Sequence, residues 1–267
     1  MSLELVKDGI EVRFIPPSQK LIDEASDLVV SACKKAFGGS LECVTLKGSA
    51  VKGDFIPGYS DFDFHVFLNS KVMESERIPK NNYALKFQKA FGSIRPEDFG
   101  VSQFQIYFID SQRYPADWTP SVEGTFKVVW GKMPFATKEA DNQGYIRQAN
   151  ESLKTVWDTR RNLVGRFVDK PDTQISSFVR LLGTFLKGYM YSVLVLLADN
   201  PKVGLRLPLD KMVVQVEKGI NSKGHFTIFF DKIFDWTTIQ QNSDKARETL
   251  KEGIKALEEI AHWYNHH

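Results

Sequence analysis

One stretch of sequence, Lys47–Leu68, constrains the fold and chemistry of this chain more than any other. It reads KGSAVKGDFIPGYSDFDFHVFL and follows a short apolar run. Two aspartates, Asp61 and Asp63, open a second apolar run that has the composition of a buried strand. Because strand residues two apart point to the same face, we expect the two carboxylates to project side by side. Carboxylates held that close repel each other, and a divalent cation with oxygen ligands is the usual relief.

Gly48 and Ser49 end the first apolar run as a small turn. The backbone N–H groups that follow, from Ala50 to Lys52, are suited to binding phosphate oxygens. A phosphate cradle that faces a metal-binding carboxylate pair is typical of phosphoryl and nucleotidyl transfer sites. The alternative is a surface turn followed by a strand whose two aspartates face solvent.

The combination of Gly48-Ser49, a spacer, and Asp61-x-Asp63 on an apolar strand resembles the signature of the nucleotidyltransferase fold. That superfamily includes aminoglycoside, lincosamide and minimal nucleotidyltransferases, CCA-adding enzymes and DNA polymerase beta. The resemblance implies that Asp61 and Asp63 are catalytic and bind Mg²⁺. It also implies that Gly48 and Ser49 hold the β- and γ-phosphates of a nucleoside triphosphate such as ATP. Lys52 either adds a charged phosphate contact or is a solvated lysine on a helix face.

Members of the family usually place a third carboxylate on a later strand, as a metal ligand or as the base that deprotonates the acceptor. On the strand predicted over Val101–Ile109, this sequence has two amides, Gln103 and Gln105. Amides cannot act as bases and bind cations weakly. Asp110, at the end of that strand, is a candidate for a shifted substitute.

Four other polar residues are candidates for a role at or beside the site. Glu139 and Asp141 are alternative sources of a base, although ordinary acids at a helix N-terminus are the preferred interpretation. Ser60 is expected to bond the backbone of its turn rather than touch substrate. His65 is expected to be a packed histidine that points away from the face of the two aspartates.

The charge of the chain is nearly balanced, with 35 basic and 33 acidic residues, which makes nucleic acid an unfavourable partner. The two cysteines are expected to be buried thiols. Ile175–Leu197 is apolar but contains Arg180 and Lys187, so we expect a core helix and no membrane span. No signal segment is recognised, and these features together predict a soluble cytoplasmic protein.

The polar residues of that helix recur at helical spacing, at Arg180, Thr184, Lys187 and Tyr191. They therefore share one stripe of the helix surface. One interpretation is a cleft-facing stripe in which Arg180 and Lys187 supply cations to the triphosphate. The other is the solvent edge of the helix, with long side chains lying over apolar neighbours.

The predicted fold is α+β, with a nucleotidyltransferase-like mixed sheet and flanking helices over residues 1–133 and an all-α helical bundle over 134–267. Turn and periodicity signals in the first part predict a hairpin over 3–15, helices over 18–37 and 79–91, and strands over 41–47, 62–68, 101–109 and 125–130. In the second part they predict helices over 139–167, 173–197, 209–219 and 243–264, with 225–234 ambiguous.

The leading functional hypothesis is a Mg²⁺-dependent nucleotidyltransferase that moves a nucleoside monophosphate, with AMP from ATP as the favoured case, to a hydroxyl of a small molecule such as an antibiotic. The acceptor would bind in a cleft between the two parts. Two alternatives are a catalytically weak or inactive nucleotide-binding protein and an enzyme that acts on a protein partner, as in AMPylation or an antitoxin. The oligomeric state, monomer or homodimer, stays open.

Overall fold

A computed structural model describes residues 14–115, 120–134 and 141–266 of the chain. Its contacts divide these residues into two units, which we call the sheet unit (residues 14–134) and the helical unit (141–266). The hairpin predicted over residues 3–15 lies almost wholly outside the described residues. The fold is α+β, and the prediction of a mixed sheet followed by a helical region is confirmed at that level.

The sheet unit is built on four strands in the order β3-β2-β1-β4. Strand β1 runs antiparallel to β2 and β4, whereas β2 and β3 are parallel. Its helices and strands are α1 Gln19–Phe37, β1 Leu41–Lys47, α2 Ser49–Lys52, β2 Phe62–Leu68, α3 Asn81–Phe91, β3 Phe104–Asp110 and β4 Phe126–Gly131, with 3-10 helices at Gly38–Ser40, Ser70–Val72 and Pro96–Phe99.

One face of this sheet is covered by α1 and α3. Helix α1 begins where the Ser18 hydroxyl accepts a hydrogen bond from the Leu21 N–H, and its apolar stripe lies against β1 and α3. The ring of Phe87 on α3 packs on Phe37 of α1 and on Phe108 of β3. This interdigitated apolar layer forms the main core of the unit.

The opposite face of the sheet carries the polar residues of the motif. Phe62, Phe64 and Val66 of β2 belong to the helix-covered core, so the alternate residues Asp63 and His65 project to the other face. The strand register places Lys47 opposite Asp63 on β1 and Gln105 beside Asp63 on β3. Side chains distant in sequence therefore meet on one half-buried surface.

The helical unit contains eight helices within the described residues. They are α4 Asn142–Lys154, α5 Val156–Phe167, α6 Asp172–Leu197, α7 Pro201–Arg206, α8 Leu209–Ile220, α9 His225–Ile233, α10 Trp236–Gln241 and α11 Ser243–Asn265. Helix α6 lies at their centre and packs against α4, α5, α7, α8 and α11.

The helical unit differs from the sequence prediction at one helix, and it settles the secondary structure of one segment that the sequence left ambiguous. The single helix predicted over 139–167 is two helices, because Thr155 turns its N–H and its hydroxyl back to the Ser152 carbonyl and interrupts the ladder. The ambiguous segment 225–234 is helical. Its first turn is held by Glu217, whose carboxylate accepts hydrogen bonds from the N–H and the hydroxyl of Thr227.

Among the described residues, α6 alone is long and apolar enough, by length and composition, to cross a membrane. Yet 56% of its most apolar window is buried inside the protein. Its neighbours on several sides are helices of the same unit. Packing of this kind identifies α6 as a core helix of the helical unit, as its charged residues predicted.

Candidate functional site

Gly48 and Asp63, from the two halves of the sequence motif, are in contact. Gly48 follows the last residue of β1 and has a φ of 77°. A Cβ atom at this position would lie 2.5 Å from Asp63 Oδ2. The carboxylate of Asp63 therefore rests against the bare backbone of the turn, a closeness that only glycine permits.

The turn continues directly into the short helix α2. The amides of Val51 and Lys52 both donate to the Gly48 carbonyl, at 3.1 and 3.0 Å. The N–H groups of Ser49 and Ala50 belong to the first residues of this turn, where no preceding helical carbonyl can accept them. This geometry is compatible with phosphate binding by Gly48 and Ser49, which stays a prediction, as does the charged contact from Lys52 at the end of α2.

Asp61 immediately precedes β2 and is held by residues of the β3 segment. Its Oδ1 accepts a hydrogen bond from the Ser102 hydroxyl, and its Oδ2 accepts from Gln103 Nε2 at 3.1 Å and Gln105 Nε2 at 2.9 Å. The other end of the Gln105 amide, Oε1, accepts a hydrogen bond from the Tyr107 hydroxyl. The two amides noted in the sequence thus orient Asp61, and Tyr107 fixes which way the Gln105 amide points.

Lys47 supplies a positive charge beside Asp63. Its Nζ lies 5.5 Å from the centroid of the Tyr107 ring. Burial lowers the pKa of Lys47, and the negative charge of Asp63 opposes that change. Burial, Asp63 and Asp61 together raise the pKa of Tyr107, so its hydroxyl keeps its proton. Sequence reasoning identified none of Lys47, Ser102 and Tyr107 as part of the site.

The expectation that His65 points away from the two aspartates is wrong. His65 lies two residues after Asp63 on a regular strand and therefore shares its face. It is buried, as expected, and its ring packs edge-on against Tyr107 with centroids 5.6 Å apart. Burial, Lys47 and Arg77 hold its pKa well below 6.5, so the imidazole is neutral near pH 7.

Asp110 is not a shifted third carboxylate. It pairs with Leu68 at the far end of β2, five residues along β3 from Gln105. Its fully buried carboxylate accepts hydrogen bonds from Ser70 Oγ at 2.5 Å and from the backbone and guanidinium of Arg113. These bonds give Asp110 a structural role. Because they occupy its carboxylate, Asp110 is not available to a substrate.

The remaining polar candidates fall into three cases. Asp141 caps α4 by accepting from the Gly144 N–H at 2.6 Å, which supports the structural interpretation, while Glu139 lies outside the described residues. Ser60 accepts a hydrogen bond from the Ile56 N–H at 2.9 Å, as expected for a turn. Arg180 and Lys187 are half-buried on α6 of the helical unit, and their contact with a triphosphate stays a prediction.

The donor set of the site fits a small divalent cation. Across residues 14–115, 120–134 and 141–266, no group of three or more His, Cys, Asp or Glu side chains is placed to hold a metal. Asp61 and Asp63 offer two carboxylates, and Mg²⁺ is commonly bound by one or two carboxylates together with phosphate oxygens and water. The protein would thus supply part of the coordination shell, and a bound nucleotide the rest.

No protein-family model matches this sequence, and no curated protein shows significant similarity to it. The resemblance to nucleotidyltransferases therefore depends on the motif residues alone.

Proposed function

We propose that this protein is a Mg²⁺-dependent nucleotidyltransferase that transfers a nucleoside monophosphate, AMP from ATP, to a hydroxyl of a small molecule such as an antibiotic. The observation that carries the proposal is the contact between Gly48 and the carboxylate of Asp63. It brings a phosphate-binding type of turn next to a metal-binding type of residue, and these are the two parts that phosphoryl transfer requires.

Each residue has a defined task in this proposal. The amides after Gly48 and the hydroxyl of Ser49 bind the β- and γ-phosphates, and Asp61 and Asp63 hold the cation. Bound Mg²⁺ would neutralise the triphosphate and favour departure of pyrophosphate. Ser102, Gln103 and Gln105 keep the Asp61 carboxylate in one orientation, which preserves the geometry that catalysis needs.

A second function, nucleotide binding without turnover, is favoured by one specific observation. The residue beside Asp63 on β3 is Gln105, whose amide donates to Asp61. A carboxylate there would accept the proton of the acceptor hydroxyl, whereas an amide has no basic site for it. The protein would then bind a nucleotide and cation and transfer nothing.

The experiment that tests both functions uses the purified protein with each of four α-labelled nucleoside triphosphates, Mg²⁺ and a panel of hydroxyl-bearing acceptors that includes antibiotics and proteins. Labelled product and pyrophosphate release from wild type, lost in Asp63→Asn, support the transferase. The matched control is Asp27→Asn, the same change on an exposed position of α1. A thermal shift with nucleotide and Mg²⁺ but no pyrophosphate supports the second function. If wild type shows no labelled product, no pyrophosphate release and no thermal shift, both functions are contradicted.

A further inference from the structure

The side chains of Lys47 and Tyr107 meet above β2, although neither residue belongs to that strand. Lys47 ends β1, Tyr107 belongs to β3, and β2 lies between the two. Neighbouring strands are about 4.8 Å apart, so the backbones of these two residues are separated by about 10 Å or more. The Lys47 Nζ nevertheless lies 5.5 Å from the centroid of the Tyr107 ring. Lys47 is paired with Asp63 of β2, so its side chain leans over the strand beside that carboxylate.

The ammonium group of Lys47 has no anionic partner in the part of the chain that the structure describes. An ammonium carries three N–H groups that can donate hydrogen bonds. Across residues 14–115, 120–134 and 141–266, none of them forms a hydrogen bond or an ion pair, and the ammonium lies instead over the Tyr107 ring. Asp63 attracts it only through a longer-range charge interaction. Since Lys47 is half-buried, its N–H groups lack both water and protein acceptors, which a negatively charged ligand would supply.

Lys47 also directly precedes the turn that is the candidate phosphate-binding element. Asp63 contacts this turn through Gly48 and faces Lys47 across the β1–β2 pair. Two groups suited to anions therefore flank one carboxylate, namely the amides after Gly48 and the ammonium of Lys47. In the proposed function the turn takes the β- and γ-phosphates, and the transferred α-phosphate lies nearest the acidic pair. The α-phosphate is thus the anion within reach of Lys47.

We propose that Lys47 binds the α-phosphate of the nucleotide and that Tyr107 is a positioning residue that holds the ammonium in place before the nucleotide binds. The ring occupies one side of the ammonium. The remaining N–H groups are left for phosphate oxygens, with which a cation forms charge-assisted hydrogen bonds. This inference rests on nucleotide binding, which both proposed functions share, and it adds the residue that contacts the transferred group.

The test is calorimetric titration of the full chain with α,β-methylene-ATP and Mg²⁺. The carbon bridge of this analogue is not cleaved, so binding is measured without turnover. Lys47→Met should bind the analogue at least about 10-fold more weakly than wild type, the usual effect of losing a hydrogen bond to a charged group. The matched control is Lys86→Met, because the Lys86 Nζ lies at a similar distance, 5.4 Å, from the centroid of the Tyr83 ring on α3. Its affinity for the analogue should equal that of wild type.

Phosphorus NMR of the bound analogue identifies the phosphate that Lys47 contacts. The wild-type and Lys47→Met complexes are both measured at saturation. Between the two complexes, the chemical shift of the α-phosphorus should change more than those of the β- and γ-phosphorus. A larger change at the β- or γ-phosphorus would overturn the assignment to the α-phosphate.

Two measurements distinguish binding by Lys47 from a purely structural role. Urea unfolding of Lys47→Met should give a free energy of unfolding equal to or above that of wild type, because the variant removes a half-buried cation that has no acceptor. Lys47→Arg keeps the charge and should bind the analogue at least about threefold more tightly than Lys47→Met. A loss of stability in Lys47→Met, together with no recovery of affinity in Lys47→Arg, would make Lys47 a structural residue and overturn the inference.

The role of the Tyr107 ring is tested by comparing Tyr107→Phe with Tyr107→Leu. Both variants lose the hydroxyl that is bonded to Gln105, but only Tyr107→Leu loses the ring. Tyr107→Leu should therefore bind the analogue about threefold more weakly than Tyr107→Phe does. Equal affinities of these two variants would overturn the positioning role of Tyr107.

The outcomes separate this inference from the proposed function. If wild type binds the analogue and Lys47→Met binds it with the same affinity, the role of Lys47 is overturned and the proposed function stands. If wild type does not bind the analogue, the proposed function is overturned, and this inference with it.

Discussion

Gly48 and Asp63 are so close that no methyl group fits between them, since a Cβ on Gly48 would lie 2.5 Å from Asp63 Oδ2. The backbone of Gly48 is also in a conformation with φ 77° and ψ −150°, which is essentially restricted to glycine. Two separate physical demands therefore fall on one residue. They link the turn after β1 to the acidic residue of β2 and define the centre of the candidate site.

The first prediction concerns Gly48→Ala. We expect the free energy of unfolding to fall by about 2–3 kcal/mol from backbone strain and overpacking, and nucleotide-dependent thermal stabilisation to be lost. The control is Gly53→Ala, which also has positive φ, 82°, but has nothing within 4 Å of its Cβ position. That variant should lose about 1 kcal/mol from the left-handed conformation and keep its nucleotide response. Equal nucleotide responses in the two variants would argue against the Gly48–Asp63 contact as part of the site.

The strands and helices that could be predicted from the sequence are those whose side chains follow a clear period. Strands β1 and β2 were predicted with the observed bounds, because their apolar residues form continuous runs bounded by glycine and turn residues. Helix α1 was predicted over 18–37 from its apolar repeat, and the structure adds that Ser18 caps its first turn. The sequence predicted that the Gly48-Ser49 turn faces the carboxylate pair, but it did not predict direct contact between Gly48 and Asp63.

The rest of the site depends on strand pairing, which the local sequence does not encode. Ser102 and Tyr107 reach Asp61 and Lys47 because β3 pairs in parallel with β2, about forty residues earlier in the chain. A shift of that register by one residue would turn Gln105 to the opposite face of the sheet. The parity of His65 could have been read correctly from its spacing to Asp63, and the break of the helix at Thr155 depends on a side-chain bond that propensity does not reveal.

A second prediction concerns the buried carboxylate of Asp110. Burial tends to raise its pKa, but hydrogen bonds from Ser70, the Gln112 amide and Arg113 outweigh burial and hold the pKa below the ordinary value of 3.8. The unfolded chain therefore takes up this proton first as the pH falls. The stabilisation is present above about pH 4 and is lost as the pH falls through the lower pKa of the folded state.

Asp110→Asn should accordingly lower the free energy of unfolding by about 2 kcal/mol at pH 7, the usual cost of losing hydrogen bonds to a charged group. Urea unfolding at pH 7 and near pH 3 measures the difference between variant and wild type, which should shrink at the lower pH. The control is Asp98→Asn, whose ion-pair partner Arg95 lies on the surface. This variant should change the free energy of unfolding far less than Asp110→Asn does. A difference that grows as the pH falls would contradict this account.

A third prediction concerns the packing of α11 in the helical unit. A Cβ on Gly253 would lie 2.5 Å from Leu182 Cδ2 and 2.7 Å from the Phe229 ring, so α6 and α9 approach this helix where it has no side chain. Gly253→Ala should destabilise the protein by about 1–3 kcal/mol. Gly188→Ala on α6, where the added Cβ meets nothing within 4 Å, should stabilise it by about 0.5–1 kcal/mol. Thermal or urea unfolding measures the change in free energy of unfolding for each variant. Changes of the same sign in the two variants would refute the prediction.

The fourth prediction separates the chemical role of Asp61 from its structural one. In Asp61→Asn the side chain keeps its shape. Its remaining oxygen can still accept from the amides of Gln103 and Gln105, and its new N–H₂ group can donate to the Ser102 hydroxyl, which is able to accept as well as donate. The free energy of unfolding should fall by only about 1 kcal/mol. Because the variant lacks the charge that holds the cation, the rate of nucleotide transfer should fall by at least about 100-fold.

Ser102→Ala is the informative companion variant, since it keeps the Asp61 charge and removes one of the donors that orient it. A loss of an orienting partner typically costs about 10–100-fold in metal affinity or activity. The transfer rate of Ser102→Ala should therefore lie between the rates of wild type and Asp61→Asn. Initial rates with labelled ATP and Mg²⁺, taken beside urea unfolding of each variant, measure both effects. Two outcomes would make Asp61 a structural acid and place the metal-binding role elsewhere. In the first, the rate falls only because Asp61→Asn is largely unfolded under the assay conditions. In the second, the rate of Asp61→Asn stays within threefold of wild type.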